Sequence, residues 1–357
     1  MNNGRDLDKP IAIHHTPRSF SERWIEYCEE HGIDYRIVDC FSNDIIDQLR
    51  GFRALLWHWG MWQPQSYITA RSIIVAAEVM GLIVFPNLST AWHYDDKIAQ
   101  KYLLEAVGAP LVKSYVFYNE AEAREWIKSA KYPLVFKLRH GAASSNVRLV
   151  RNRREAGRLC SVAFGKGFRP VSGYLQDARR KLRDIKDFGT LMGKFKRLPG
   201  SFEHLKMIKN TLQREKGYIY FQEFIPDNEY DTRITVIGNR AFGYTREVRP
   251  HDFRASGSGL NCYDPGMIPE DTVKIAFSVT EKIRAQCLAY DFVLGKNNVA
   301  LITEISYGFI PKNILESPGH WDRNLDWHEG HMAAEDVIMI DLLKELQYKT
   351  DNRIYKD

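Results

Sequence analysis

Lys137 stands inside an apolar run, YPLVFKL (132–138). A lysine in a buried strand is costly unless something negative meets it. The following residues, His140–Asn146 (HGAASSN), are small and polar, and the backbone N–H groups of such a loop can fold around phosphate oxygens. NVRLV (146–150) then alternates like a returning strand. Lysine and small-residue loop on one hairpin are a way to hold a triphosphate; a surface hairpin with a snorkelling lysine is the competing reading. Further along, two acids interrupt apolar strands: Asp291 in YDFVL and Glu304 in LITEISYG. Strands joined by a short turn at Gly295–Asn298 can bring both carboxylates to one face, as hard oxygen ligands for Mg2+. Edge-strand carboxylates facing water would read the same way. Between these regions Arg246, Arg249 and Arg254 cluster in TREVRPHDFR, followed by a flexible SGSG loop, Ser256–Gly259.

The elements that position these groups follow from hydrophobic period and capping residues. Ile11–His15, Tyr35–Phe41, Arg53–Trp59 and Leu82–Phe85 read as strands. Ser19–His31, Ser42–Phe52 and Tyr67–Met80 read as helices between them. This alternation predicts a parallel sheet with helices on its faces over roughly residues 9–88. The turn after the first strand, HHTPRS, lacks the glycine fingerprint of dinucleotide folds, so NAD is not expected. Ser89–Gly108 reads as one helix with Lys97 and Lys101 on a shared face, which a solvated surface would also explain. Leu111–Tyr118 is a strand, and helices at Asn119–Ala130 and Arg153–Phe164 flank the hairpin. Tyr218–Ile225 is an apolar strand ended by Pro226. Thr232–Ile237 and Ala241–Tyr244 pair across Gly238–Asn239. Asp271–Tyr290 is a helix, Tyr290–Leu294 and Val299–Ile305 are strands, and His331–Gln347 closes the chain as an amphipathic helix.

Composition bounds the answer. The chain has 357 residues, 44% of them hydrophobic and 27% charged, as in a soluble globular enzyme of two or three domains. Its longest apolar run, Ile73–Phe85, is broken by Glu78 and Gly81 and is too short to span a bilayer. The N-terminus is polar, and the five scattered cysteines form no C-x-x-C. A cytoplasmic protein with reduced thiols and no structural zinc is expected. Gly165–Gly217 carries 14 Lys/Arg against 5 Asp/Glu, more than the whole chain's net +5, so the remainder is acidic. Apolar residues recur there at helical spacing, predicting a basic helical insertion: a solvated lid or packing arm, a clamp on an anionic substrate, or a membrane or nucleic-acid patch. Its few aromatics form no stacking motif, so nucleic acid is not expected.

The order of these features resembles the ATP-grasp superfamily. The series is a parallel α/β unit, a helix with lysine, strand–Lys–small loop–strand, a strand with an acid before proline, an arginine-rich hairpin, then an Asp strand and a Glu strand. The pattern is similar to the branch containing glutathione synthetase, D-alanine–D-alanine ligase and the ligases that add glutamate to ribosomal protein tails. The resemblance covers about residues 85–315. It implies an α/β fold, with a parallel-sheet domain followed by two α+β subdomains that clasp ATP. The corresponding division is 1–88, 89–164, the insertion 165–217, 218–330 and a tail at 331–357.

Carried over by position, the resemblance makes Lys97 and Lys137 the phosphate lysines, and His140, Gly141, Ala142, Ser144 and Ser145 the loop over the triphosphate. Glu223, Phe224 and Ile225 become the adenine hinge. Asp231 becomes the ribose acid, with Glu229 the other candidate. Asp291, Glu304 and Ser306 become the Mg2+ ligands; the family usually has asparagine at the last of these, and Asn313 lies too far along to replace it. Arg246 and Arg254 become the catalytic arginines that orient a carboxylate, with Arg249 and Arg233 as alternates. The implied reaction is ATP-dependent joining of a carboxylate to an amine through an acyl phosphate, with ADP and phosphate released. Amino acids, peptides or amino sugars are the implied small-molecule substrates, and a homodimer is allowed. A kinase or a non-catalytic nucleotide-binding protein would share the fold. Trp321, His320 and Trp327, just past the Glu strand, are candidates for shaping acceptor selectivity.

Overall fold

A computed structural model of the chain describes residues 9–60, 63, 65–141, 146–169, 214–249, 254–255 and 259–354. Short apolar runs build the first sheet: β1 (Ile11–His14), β2 (Tyr35–Val38), β3 (Ala54–Leu56) and β4 (Ile83–Phe85). They pair in parallel in the order β2-β1-β3-β4. The two central strands are buried at every residue, as helix-covered parallel strands must be. The helix Phe20–Glu30 starts where predicted, with the Ser19 hydroxyl accepting from the Ser21 N–H.

The second sheet holds β5 (Ser114–Phe117), β6 (Leu134–Lys137), β7 (Val147–Val150) and β8 (Ile219–Glu223), antiparallel in the order β5-β8-β6-β7. Helices Glu120–Ser129 and Arg153–Phe164 cover it, enclosing a core that includes Ile127, Phe136, Cys160 and Phe221. The third sheet adds β9 (Tyr230–Ile237), β10 (Arg240–Glu247), β11 (Asn261–Cys262), β12 (Cys287–Leu294), β13 (Ala300–Ser306), β14 (Gly319–Trp321) and β15 (Trp327–Glu329). Its path runs β13-β12-β9-β10-β14-β15, with β11 beside β10. The first and third sheets share one continuous core, whereas the second has its own. Among the described residues no helix is long and apolar enough to cross a membrane.

Several predicted elements change. Residues 89–108 form two helices, Leu88–Ala91 and Lys97–Ala106, because Asp95 takes a positive φ of 53° and breaks the run. Lys97 therefore opens a helix capped by Asp96 rather than sitting on its face. The helix expected to reach Tyr290 is Glu270–Ile283 and stops at Arg284, which is left-handed; Cys287–Tyr290 belong to β12. The helix at 42–52 shortens to Ile45–Leu49, and the closing helix runs Ala334–Ile354. Of the basic insertion only the ends are described: Phe168 and Glu215 exchange backbone hydrogen bonds of 2.8 and 2.9 Å. The helices expected within it fall at 170–213, outside the described residues.

The hairpin between β9 and β10 turns at Gly238–Asn239, as predicted. Gly238 has φ +57°, and a Cβ there would overlap the Asp341 carboxylate, which is paired to Arg240. Gly238→Ala is expected to cost about 1–3 kcal/mol from the left-handed backbone and the displaced ion pair together. Urea unfolding of wild type and variant measures this; an unchanged midpoint would show that the turn relaxes freely.

Candidate active site

A cavity of about 330 Å³ lies between the second and third sheets. Val135, Lys137 and Val147 line it from one side, and Asp291, Val293, Thr303 and Glu304 from the other. The segment from Gln222 to Asp231 supplies much of its rim, including Glu223, Phe224, Ile225 and Asp231, and Arg254 closes another edge.

Lys137 ends β6 at 6% exposure and donates to the Thr303 carbonyl at 3.2 Å. Burial pushes its ammonium down to about 8, with Glu304 and Asp291 pulling the other way and Lys97 adding to the drop. Asp291 and Glu304 are direct cross-strand neighbours on β12 and β13. That register is what places both carboxylates on the cavity floor. Burial works against the charge on Asp291, but Arg233 and Arg246 hold its carboxyl well below the usual range. Arg233 meets it with two bonds of 2.6 and 2.9 Å, and Arg246 adds a contact of 2.9 Å. Arg246 also pairs with Asp231 through two bonds of 2.6 Å. Two acids and two arginines thus form one buried network beside the cavity.

Other sequence-predicted residues sit behind the cavity wall. Arg246 is 5% exposed, is spent on these ion pairs and does not line the cavity. Lys97 lies equally deep: its Nζ is 3.2 Å from Glu304 and donates to the Gly141 carbonyl at 2.8 Å. Burial opposes its charge, but Glu304 and Asp95 outweigh that and hold Lys97 above the usual lysine range. Gly141 gives its N–H to Asp95 at 2.9 Å, and the His140 imidazole is taken by Glu215. Neither residue turns toward the cavity, contrary to the expectation for the loop. Ala142, Ser144 and Ser145 lie outside the described residues. The Ser306 hydroxyl closes a local turn, donating to the Gly308 carbonyl and accepting its N–H, so it is not aimed at the acids. Asn313 donates to the Tyr244 hydroxyl. Glu223 accepts the Tyr115 hydroxyl at 2.9 Å while keeping its place on the rim.

The residues read as candidates for acceptor selectivity lie away from this cavity. Trp321 pairs with Ala241, at the end of β10 remote from Arg246, and packs against Trp327 at 4.7 Å between ring centroids. His320 stacks on His328 across the same hairpin. None of these residues lines the cavity. Sequence reading gives Arg233 only as an alternate and places Gln222 at the start of the hinge stretch without a role of its own. Gln222 follows the alternation of β8 and donates to Ser114 at 3.1 Å and toward the Thr303 carbonyl at 3.4 Å.

Asp291 and Glu304 offer hard oxygen donors, the chemistry that suits Mg2+. Among the described residues no cluster of three or more His, Cys, Asp or Glu has the arrangement to cage an ion. Two carboxylates fit a magnesium that takes its remaining ligands from water or a phosphate substrate.

The ion network generates one prediction. Asp231→Ala leaves Arg246 with an unbalanced buried charge and is expected to cost about 3 kcal/mol or more, whereas Asp231→Leu with Arg246→Met removes both charges and costs less. Urea midpoints of the variants test this, and a double variant no better than the single would refute the pairing. Lys137 generates a second. The folded chain gives up this proton near pH 8, whereas an unfolded lysine keeps its proton to about 10.4. The unfolded state therefore binds more protons across that window, so the Lys137 contribution to stability rises with pH there, by a total on the order of 2–3 kcal/mol. Stability measured from pH 7 to 10 in wild type and Lys137→Met should diverge in that direction; parallel curves would mean that Lys137 titrates normally.

No protein-family model matches the chain. It is 22% identical over 230 residues to the alpha-aminoadipate–LysW ligase LysX of Saccharolobus solfataricus, an alignment covering 64% of this chain and 67% of LysX. Among solved structures, the D-cycloserine synthetase DcsG matches 93% of this chain and 99% of its own with a TM-score of 0.56 at 12% identity. The D-alanine–D-alanine ligase of Bacillus anthracis, solved with ATP, matches 96% and 99% with a TM-score of 0.54 at 11% identity. Identities this low speak to architecture. The chain shares the fold of these enzymes and of the ATP-grasp ligase PsnB, which matches 96% of this chain and 100% of its own with a TM-score of 0.56 at 13% identity.

Proposed function

We propose that the protein is an ATP-dependent carboxylate–amine ligase working through an acyl phosphate and releasing ADP and phosphate. One observation carries this reading: the cross-strand Asp291–Glu304 pair shares a cavity with a buried lysine and a strand-end hinge at 223–225. Its similarity to LysX, itself a ligase, supports the choice of chemistry.

Each residue then has a task. Backbone at Phe224 and Ile225 would read the adenine edge, with Glu223 beside it. Asp231, fixed by Arg246, would take ribose hydroxyls. Asp291 and Glu304 would hold magnesium, which when bound neutralises phosphate charge. Lys137 needs no movement to face the phosphates, because β6 already delivers it to the cavity. Phosphoryl transfer asks for alignment and neutralised charge more than for covalent help. Arg254 lines the cavity and is the arginine we assign to orienting the substrate carboxylate, with Arg246 supporting the acids behind it. Exclusion of water protects the acyl phosphate until the amine attacks. The substrates are small: an amino acid, peptide or amino sugar. The division at 88, 164, 217 and 330, a cytoplasmic location and homodimerisation belong to the same proposal.

Mg–ATP at about 100 times Kd should stabilise the protein by roughly 2.7 kcal/mol, read as a rise in Tm. Lys137→Met should abolish that rise. Acid and amine pairs are then screened for phosphate release, with mass spectrometry of the products. An amide plus ADP supports the ligase, a phosphorylated compound would make the protein a kinase, and no Tm rise at millimolar Mg–ATP would overturn the nucleotide site.

A further inference from the structure

The tripeptide Asp95–Asp96–Lys97 grips the tripeptide Arg139–His140–Gly141. Asp96 takes the Arg139 guanidinium through bonds of 2.8 and 2.6 Å. The Lys97 N–H donates to the Arg139 carbonyl at 3.0 Å. Gly141 is held at both ends, its N–H by Asp95 at 2.9 Å and its carbonyl by the Lys97 ammonium at 2.8 Å. Most of these contacts are ordinary tertiary hydrogen bonds. Asp95 is different, because it is held in a conformation that costs free energy. It is a non-glycine residue at φ 53° and is 6% exposed. A left-handed residue persists only where its surroundings over-determine it, and such residues gather at functional sites.

The second oxygen of Asp95 shows what holds it. It accepts the Tyr67 hydroxyl at 2.8 Å, from the helix Ser66–Val79 of the N-terminal unit. A chain of contacts therefore runs from Tyr67 to Asp95, to the Gly141 peptide, to the Lys97 ammonium, and to Glu304 at 3.2 Å. Lys97 has three donors and a long flexible stem, so its position depends on fixed acceptors. Glu304 is one such acceptor, at the end of a side chain; the Gly141 backbone carbonyl is a second that keeps the ammonium beside it.

We infer that Asp95 is a positioning residue of the nucleotide site: it fixes Gly141 against Tyr67, and Gly141 in turn places Lys97 beside Glu304. This rests on the nucleotide reading given above. Asp95 touches neither the cavity nor Glu304 and acts only through its neighbours. It also ties the N-terminal unit to the site.

The test uses the full chain with Mn2+ and a non-hydrolysable ATP analogue. Bound Mn2+ is read by electron paramagnetic resonance, and exchange of the Gly141 amide by hydrogen–deuterium exchange. Asp95→Ala should lose protection at Gly141 and weaken Mn2+–analogue binding by about threefold or more, less than the roughly tenfold usual for a group bonded directly to a metal ligand, because Asp95 lies three contacts from Glu304. Asp95→Asn should restore the Gly141 protection, since its amide oxygen accepts the same N–H and asparagine tolerates positive φ, and should recover binding only in part, because the negative charge beside Lys97 is lost. A merely structural role would lower Tm without separating alanine from asparagine in this way. Tyr67→Phe leaves the carboxylate in place but unanchored and should weaken binding by a smaller factor; it carries the test if Asp95→Ala does not fold. Wild-type affinity in Asp95→Ala, or in Tyr67→Phe where that variant stands in, overturns the inference. Failure of the wild type to bind the analogue overturns the nucleotide reading instead, and Gly141 protection then still reports whether Asp95 holds the peptide.

Discussion

Compensation of buried charge is the constraint on which this structure depends. Lys97, Lys137, Arg246 and Asp291 are each less than a tenth exposed. An unpaired ion at such depth costs several kcal/mol, so each must find its partner before the sheets can close. The solution is to build the partners into strand register. β9 and β12 set Arg233 opposite Asp291, β9 and β10 set Asp231 opposite Arg246, and β12 and β13 set Asp291 opposite Glu304. A slip of one residue in any pairing would turn these side chains to the other face and strand a charge in the core. The network of ion pairs beside the cavity therefore also fixes the register of the largest sheet.

The same economy shaped what could be read from sequence. Lys137, Asp291 and Glu304 were legible because each breaks an apolar strand pattern, and a break in a buried strand has few innocent explanations. The parallel unit was legible from alternation of short apolar runs with capped helices. Asp95, Tyr67 and Glu215 were not, because each meets a partner far along the chain and shows no local periodicity. The run 89–108 carries a helical pattern through Asp95, so its interruption by a left-handed residue was invisible to period counting. Arg284 ends its helix in the same conformation without the glycine or asparagine that usually marks it. Trp321 shows the opposite case: it follows Glu304 closely in sequence, but β14 carries it to the far end of β10, a separation no local pattern displays.

The arrangement of cores bears on how the site works. The first and third sheets share one apolar cluster, and the second sheet has a separate one. The cavity lies at the seam between the two cores, with Lys137 on one side and Asp291 and Glu304 on the other. Each apolar cluster is complete on its own side of the seam, so little apolar surface is buried between the two. What crosses the seam is polar: Lys137 to the Thr303 carbonyl, Gln222 toward the same carbonyl, and the grip of Asp95, Asp96 and Lys97 on residues 139–141. Polar contacts exchange with water or substrate at a small net cost, whereas interdigitated side chains do not. Lys137 thus sits on one face of the seam, and the acids that would hold a metal sit on the other, with Lys97 behind them. A charged ligand entering the seam would take over contacts the two halves now make with each other, and its own charges would join them.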